Sequence, residues 1–161
     1  MAAVLQIRSA APGDEDDLVR LREGLLTSDP QAHWASGPDA PDWIPHYRAQ
    51  LAAEFADPAA VRTFLATDGD AAVGTLTAIV DHRLAGPSNP TGRAGWVQGV
   101  YVAPQARGRG IAARLTAAAE EWFAERGAGA VVLASTPAAE PVYRGLGYLA
   151  DSETHFRKDL R

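Results

Sequence analysis

The sequence WVQGVYVAPQARGRGIAA, from Trp96 to Ala113, contains the features that decide the fold. Its first part, Trp96–Val102, predicts a β-strand that is stopped by Pro104. Its second part is rich in glycine and arginine and leads into Ile111–Arg126, where apolar residues recur with helical spacing. The stretch therefore predicts a strand, a glycine-rich loop and an amphipathic helix in direct succession.

The glycine-rich loop has the groups that a pyrophosphate needs. Gly108 and Gly110 lie at the N-terminus of the predicted helix, where unpaired backbone N–H groups and a partial positive charge attract anions. Glycine lets phosphate oxygens come within hydrogen-bonding distance of these groups, and Arg107 and Arg109 add cationic donors. We therefore expect this loop to bind a pyrophosphate.

Two other interpretations of the loop are possible. The pattern Gly108-x-Gly110-x-x-Ala113 also fits the dinucleotide-binding fingerprint. That fingerprint follows its strand directly and needs an acidic residue about twenty positions later, whereas here five residues intervene after Val102 and the following strand ends in Ser135. The second alternative is a plain glycine-bearing loop that caps a helix.

The rest of the chain predicts further strands and helices in the order β-α-α-β-β-β-α-β-α-β, typical of an α/β domain with a mixed sheet. No repeat or linker interrupts it, so we expect a single domain over residues 1–161. The predicted segments are strand 4–7, a helix after Asp14, helix 44–55, a hairpin of strands 61–67 and 71–80 around Asp68-Gly69-Asp70, strand 131–134, helical turns at 141–146, and one or two final strands from Tyr148 through Phe156.

Two motifs resemble those of the GNAT superfamily of acyl-CoA-dependent N-acetyltransferases. Arg107-x-x-Gly110-x-Ala112 is similar to its Arg/Gln-x-x-Gly-x-Gly/Ala signature, and Tyr143-x-x-Leu146-Gly147-Tyr148 is similar to its second motif. The resemblance implies a mixed, mostly antiparallel central sheet flanked by helices, with one strand splayed at the acetyl-CoA site. It also implies transfer of the acetyl group of acetyl-CoA directly to a primary amine, without a metal.

The resemblance assigns roles to the residues around the loop. The backbone of Val100, Tyr101 and Val102 is implied to bind the pantetheine arm, and Gly99 suits the β-bulge that usually opens this strand. The residues implied to bind the pyrophosphate are Arg107, Gly108, Arg109, Gly110, Ile111, Ala112 and Ala113.

Catalysis is implied to depend on Tyr143, which aligns with the tyrosine that protonates the departing thiolate. A phenol with a pKa near ~10 can donate a proton to a thiolate whose conjugate acid has a pKa near ~8.5. The family's cofactor-binding asparagine is replaced by Thr136, whose hydroxyl can still bond to pantetheine. The family's strand glutamate is also absent, so the general base stays open between Asp81, His82, Glu54 and a chain of water molecules.

The acceptor amine is not identified by the sequence. One group of residues either lines an acceptor pocket or covers the core: His33, Trp34, Asp39, Asp42 and Trp43. A non-catalytic acyl-CoA-binding or sensing module of the same fold is the alternative to an enzyme. Protein N-termini, polyamines, amino acids, aminoglycosides and small toxins all remain possible acceptors, with a small molecule favoured.

Composition excludes several functional classes. The chain has 161 residues, a formal charge of -5 and no cysteine, which excludes disulfide scaffolds, thiolate nucleophiles and a broad basic face for nucleic acid. The histidines are scattered, so we expect no metal site. The first residues lack the basic start and apolar run typical of a signal peptide, and no stretch approaches the length of a membrane span, so we expect a cytoplasmic, bacterial protein that is a monomer or homodimer.

Overall fold

A computed structural model describes residues 4–35 and 41–160 of the chain, which form five strands and four α-helices. A short 3₁₀ turn, Pro104–Ala106, also precedes the third helix. The elements are β1 Leu5–Ser9, α1 Glu15–Ser28, α2 Ile44–Ala56, β2 Val61–Asp68, β3 Ala71–His82, β4 Arg93–Val102, α3 Ile111–Glu125, β5 Val131–Leu133 and α4 Glu140–Gly145.

The strands form one sheet in the order β1-β2-β3-β4-β5. The first four strands pair antiparallel with their neighbours, and β5 pairs parallel with β4. The β2–β3 hairpin turns at Gly69, whose φ of 61° is in the left-handed region that glycine adopts without strain. The expected mixed and mostly antiparallel sheet is therefore confirmed.

The two faces of the sheet are covered by different helices. Side chains alternate between the faces along a strand, so Phe64 packs in the cluster beneath α3 while its neighbour Leu65 packs beneath α1 and α2. Leu115 and Phe123 of α3 are fully buried on the first face. The sheet is thus the middle layer between α3 and the α1–α2 pair, and β4 lies under both.

The prediction of one or two final strands is wrong. Residues 149–160 contain no helix or strand, and Leu149 and Phe156 are exposed. The alternation of polar and apolar residues in Thr154-His155-Phe156 is a local property of that segment. A strand also needs a neighbouring strand to accept and donate its backbone hydrogen bonds. Within the described part of the chain, nothing pairs with the outer edge of β5.

Candidate active site

Strand β4 contains a bulge at Gly99, as the sequence predicted. Thr75 pairs with Tyr101 but Thr77 pairs with Gln98, so β4 has one residue more than β3 across this interval. Gly99 has a φ of 66°, which a residue with a side chain rarely adopts. The bulge re-aims the strand at the point where it leaves β5.

The sheet opens between β4 and β5. Their parallel pairing begins at Gly95 with Val131 and ends at Val97 with Leu133. Beyond Val97, the edge of β4 that faces away from β3 has no strand partner among the described residues. The backbone from Gln98 to Val102 can therefore pair with an extended ligand in the way that a sheet edge pairs with a peptide.

The glycine-rich loop connects this open edge to helix α3. Gly108 and Gly110 have φ values of 74° and 71°, and Gly110 is the N-cap of α3. A Cβ placed on either glycine would meet nothing within 4 Å, so the space above the loop is open. The first-turn N–H groups of α3 and its positive dipole end therefore face a free approach for an anion.

A cavity of about 720 Å³ lies beside the loop and the open edge. Its volume falls in the range usual for small-molecule and cofactor sites. Tyr143 and other residues of α4 form its opposite wall. Its lining includes nine of the residues implied to bind the cofactor: Val100, Tyr101, Val102, Arg107, Gly108, Gly110, Ile111, Ala112 and Ala113.

The two arginines of the loop differ in their contacts. Arg107 lines the cavity, donates from Nε to the Val102 carbonyl at 3.0 Å, and lies over the Tyr101 ring. Arg109 does not line it and forms an ion pair with Asp68 at 2.6 Å. The hydrogen bond from Arg109 holds the pKa of the Asp68 carboxyl below its usual value. Arg107 is therefore the arginine that the structure orients toward the cavity.

A second cavity, of about 310 Å³, lies between β4 and the segment that follows β5. It contains Thr136, which is absent from the lining of the larger cavity. His33 and Trp34 also line it, which agrees with one of the two roles that the sequence left open for them. The other candidates for that pocket do not line it or are not described. The carboxylate of Asp42 accepts a hydrogen bond from the backbone N–H of Ile44 at 3.1 Å, at the start of α2, and Trp43 packs against Tyr47. Asp39 lies outside the described residues.

Tyr143 lines both cavities, as do Leu25, Val100 and Ala139. The residue is 7% exposed, and burial raises the pKa of its phenol. No group in the described part of the chain forms a hydrogen bond with its hydroxyl. Tyr143 is thus a protonated donor at neutral pH with its proton free for a ligand.

Comparison with known proteins identifies the family. The model of the acetyltransferase (GNAT) family matches residues 25–148. The chain belongs to the acetyltransferase (GNAT) family. A search among curated proteins gave no match.

Solved structures of this family share the fold across nearly the whole chain. A protein of Clostridium acetobutylicum, described as a predicted acetyltransferase and solved with acetyl-CoA, has a TM-score of 0.83 at 21% identity, covering 96% of each chain. A GCN5-related N-acetyltransferase of Ralstonia eutropha has a TM-score of 0.77 at 26% identity, covering 96% of this chain and 99% of that one. An aminoglycoside N-acetyltransferase solved with CoA has a TM-score of 0.77 at 19% identity, covering 100% and 98%.

The candidate bases of this GNAT protein lie outside both cavities. Glu54 is buried, and its carboxylate accepts hydrogen bonds from the backbone N–H of Thr63 and from the Thr63 hydroxyl. Asp81 forms an ion pair with Arg83 at 2.7 Å, at the end of β3 remote from the bulge. His82 follows Asp81 and is exposed. None of the three lines either cavity.

The sequence analysis missed Arg22, which lines the smaller cavity. Leu18, Arg22 and Leu25 are spaced at i, i+4 and i+7, so they share one face of α1, and this face is turned toward the sheet. A charged residue on an otherwise apolar helix face was the signal that could have indicated its position.

The structure also bears on metals and membranes. Across residues 4–35 and 41–160, no three histidine, aspartate or glutamate side chains are grouped as metal ligands would be. Within the same residues, no helix is long and apolar enough to cross a bilayer.

Proposed function

We propose that this GNAT protein transfers the acetyl group of acetyl-CoA directly to the primary amine of a small molecule in the cytoplasm. One observation supports this most strongly: two cavities, one beside the glycine-rich loop and one beside the acceptor candidates His33 and Trp34, are both lined by Tyr143. The chain, as a single domain over residues 1–161, is proposed to act as a monomer or homodimer.

The larger cavity is proposed to hold acetyl-CoA as co-substrate. Its pyrophosphate would bind to the N–H groups at Gly108 and Gly110 and to Arg107, while the pantetheine arm would pair with the edge of β4 at Val100 to Val102. The Thr136 hydroxyl lies in the adjoining cavity, where the arm's thioester end would enter.

The acceptor amine is proposed to enter from the smaller cavity. Its nitrogen attacks the thioester carbonyl carbon, and backbone N–H groups of Val100 to Val102 stabilise the oxyanion. The carbon–sulfur bond then breaks, and the departing thiolate takes a proton from Tyr143. The proton of the amine is proposed to leave to water, because neither cavity has an aspartate or glutamate in its described lining; His33 is the one basic side chain there that would compete with water.

A non-catalytic acyl-CoA-binding module is the second candidate, and the lack of a carboxylate in that lining favours it. The test is to incubate the protein with acetyl-CoA and a panel of amines, follow thiol release, and identify each acetylated product by mass spectrometry. Release of one equivalent of thiol for each acetylated amine supports the enzyme. Tight acetyl-CoA binding without a product from any amine supports the binding module.

A further inference from the structure

Arg22 is placed at the bulge of β4, inside the smaller cavity. It projects from α1, and its Nη1 lies 3.6 Å from the position that a Cβ would take on Gly99. Gly99 adjoins Val100, where the two cavities meet. The guanidinium is therefore close to the place where an acceptor would meet the acetyl group.

Two aromatic rings, that of Trp43 at the N-cap of α2 and that of Tyr47 within α2, lie against the Arg22 guanidinium. Its central carbon lies 5.1 Å from the centroid of Tyr47 and 5.9 Å from that of Trp43, both within the range of cation–π attraction. No described residue accepts a hydrogen bond from the Arg22 guanidinium. The guanidinium thus keeps its planar hydrogen-bonding edge for another partner.

Arg22 has no carboxylate partner among the described residues. Arg48, on the facing surface of α2, pairs with Asp16 at 2.6 Å, and other arginines of the chain form similar pairs. Arg22 also borders a neighbouring cavity of about 520 Å³ that contains Glu54 and Asp57. Glu54 is bonded to Thr63 and Asp57 to the N–H of Ala59, and neither pairs with Arg22.

The described lining of the smaller cavity is cationic overall. Arg22 is its one permanently charged side chain, His33 is its other titratable group besides Tyr143, and its remaining polar side chains are Gln98, Ser135 and Thr136. A half-buried cation without a counterion is costly, and an anion that pairs with it through two N–H donors relieves that cost. A polycationic acceptor would instead be repelled.

We infer that the acceptor has an anionic group, a carboxylate or a phosphate, beside its amine, and that Arg22 binds this group. The inference rests on the proposed acetyl transfer and specifies its substrate class. The acceptor is then a small amino acid-like or phosphorylated amine, of a size that fits a cavity of about 310 Å³. Arg22 acts as a specificity-determining residue, since it orients the acceptor without touching the proton that Tyr143 donates.

Matched pairs of acceptors test the inference. In one arm, amino acids are compared with their amides; in the other, amino-sugar phosphates are compared with the free amino sugars. In one of the two arms, kcat/KM should be roughly ten- to hundredfold higher for the anionic member, the range of a charge-assisted bond. A preference among the amino acids identifies the anionic group as a carboxylate, and a preference among the amino sugars identifies it as a phosphate.

Variants then assign the preference to Arg22. Arg22→Gln should abolish it and leave the KM for acetyl-CoA within about twofold, and Arg22→Lys should restore part of it. Arg48→Gln is the matched control, because it removes an arginine from the same helix pair outside both cavities. The inference is overturned if Arg22→Gln keeps the preference, or if the wild type favours the neutral or cationic members.

A binding measurement separates this inference from the proposed function. N-acetylated amino acids, N-acetylated amino-sugar phosphates and their neutral counterparts are titrated calorimetrically into the protein saturated with CoA. If no amine is acetylated but the anionic ligands bind and Arg22→Gln loses them, the proposed activity fails while the assignment of Arg22 as an anion-binding residue stands. Equal binding of anionic and neutral ligands overturns the inference, whatever the activity. If Arg22→Gln does not fold, Arg22→Met, which keeps an unbranched side chain without the charge, serves in both measurements.

Discussion

The rings of Tyr143 and Tyr148 meet edge to face, with their centroids 5.9 Å apart. They differ in their hydroxyls: that of Tyr148 donates to Glu120 at 2.8 Å, while that of Tyr143 forms no hydrogen bond with any described residue. Of these two neighbouring tyrosines, Tyr148 thus has a hydroxyl that is bonded within the protein, and Tyr143 has a hydroxyl that is available to a ligand.

Removal of the Tyr143 hydroxyl should affect turnover rather than folding. Tyr143→Phe keeps the buried ring and deletes only the proton donor, so kcat should fall by ~10² or more while acetyl-CoA affinity stays within a few-fold. Tyr148→Phe is the matched control and should lower the unfolding free energy by about 1 kcal/mol with little change in kcat. Steady-state kinetics, calorimetry and thermal melts on both variants make the comparison. Retained kcat in Tyr143→Phe would show that the phenol only packs.

The pH dependence of turnover follows from the buried position of Tyr143. Burial raises the pKa of its phenol in the native state above the unfolded value of ~10, so the neutral form is the one that folding favours. The proton donor is therefore present throughout the neutral range, and its contribution to stability is lost only as pH rises above ~10. A kcat profile from pH 6 to 10.5 checks this. An alkaline decrease centred below pH 9 that is missing from the residual activity of Tyr143→Phe would contradict it.

A negative charge at Gly110 should abolish cofactor binding. Gly110→Asp places a carboxylate at the N-terminus of α3, where the pyrophosphate is proposed to bind. Gly110→Asn is the matched control because it has nearly the same shape and the same strain at a φ of 71°. A Cβ at this position meets nothing within 4 Å, so both variants should fold. Calorimetry should show far weaker acetyl-CoA binding for the aspartate than for the asparagine variant; equal affinities would exclude this location.

The two loop arginines should differ in their contribution to affinity. Arg107→Ala should weaken acetyl-CoA binding by about 1.5 to 3 kcal/mol, the value of a charge-assisted bond. Arg109→Ala should weaken it less, because the Arg109 guanidinium is paired with Asp68 and lies outside the lining of the cavity. If the two variants lose the same affinity, Arg109 leaves Asp68 to join the phosphate, as the resemblance to GNAT sequences implied.

None of Asp81, His82 and Glu54 should prove to be a dedicated base. Asp81→Asn and His82→Gln should each lower kcat less than about tenfold, because general-base catalysis is worth ~10² to 10⁴ and neither residue lines a cavity. Glu54→Gln should meet the same limit but lower the unfolding free energy by about 1 to 3 kcal/mol, since Thr63 loses an acceptor for its two bonds. A loss beyond ~100-fold in any variant would identify a base.

The sequence predicted those parts of the molecule whose chemistry is contiguous in the chain. The loop after Pro104 and the start of α3 follow from glycine, proline and helix-start patterns within one short stretch, and the bulge at Gly99 was implied by the resemblance to GNAT sequences. The position of Arg22 could not be predicted, because it depends on Trp43, Tyr47 and Gly99, which come from other elements. The final strand was predicted wrongly for a related reason, since a strand depends on a neighbouring edge as well as on its own pattern.

The pairing of β4 with β5 ends at the Val97–Leu133 pair, and this short pairing affects the stability of the fold. Only three residue pairs connect β5 to the rest of the sheet. Amide hydrogens of β5 should therefore exchange with solvent faster than those of β2 and β3, which pair along most of their length. A ligand that inserts between β4 and β5 in the native state alone raises the unfolding free energy by about 2.7 kcal/mol at one hundred times its Kd. If acetyl-CoA is that ligand, it would occupy the position of an additional strand, and the amount of folded protein in a cell would then depend on the concentration of acetyl-CoA.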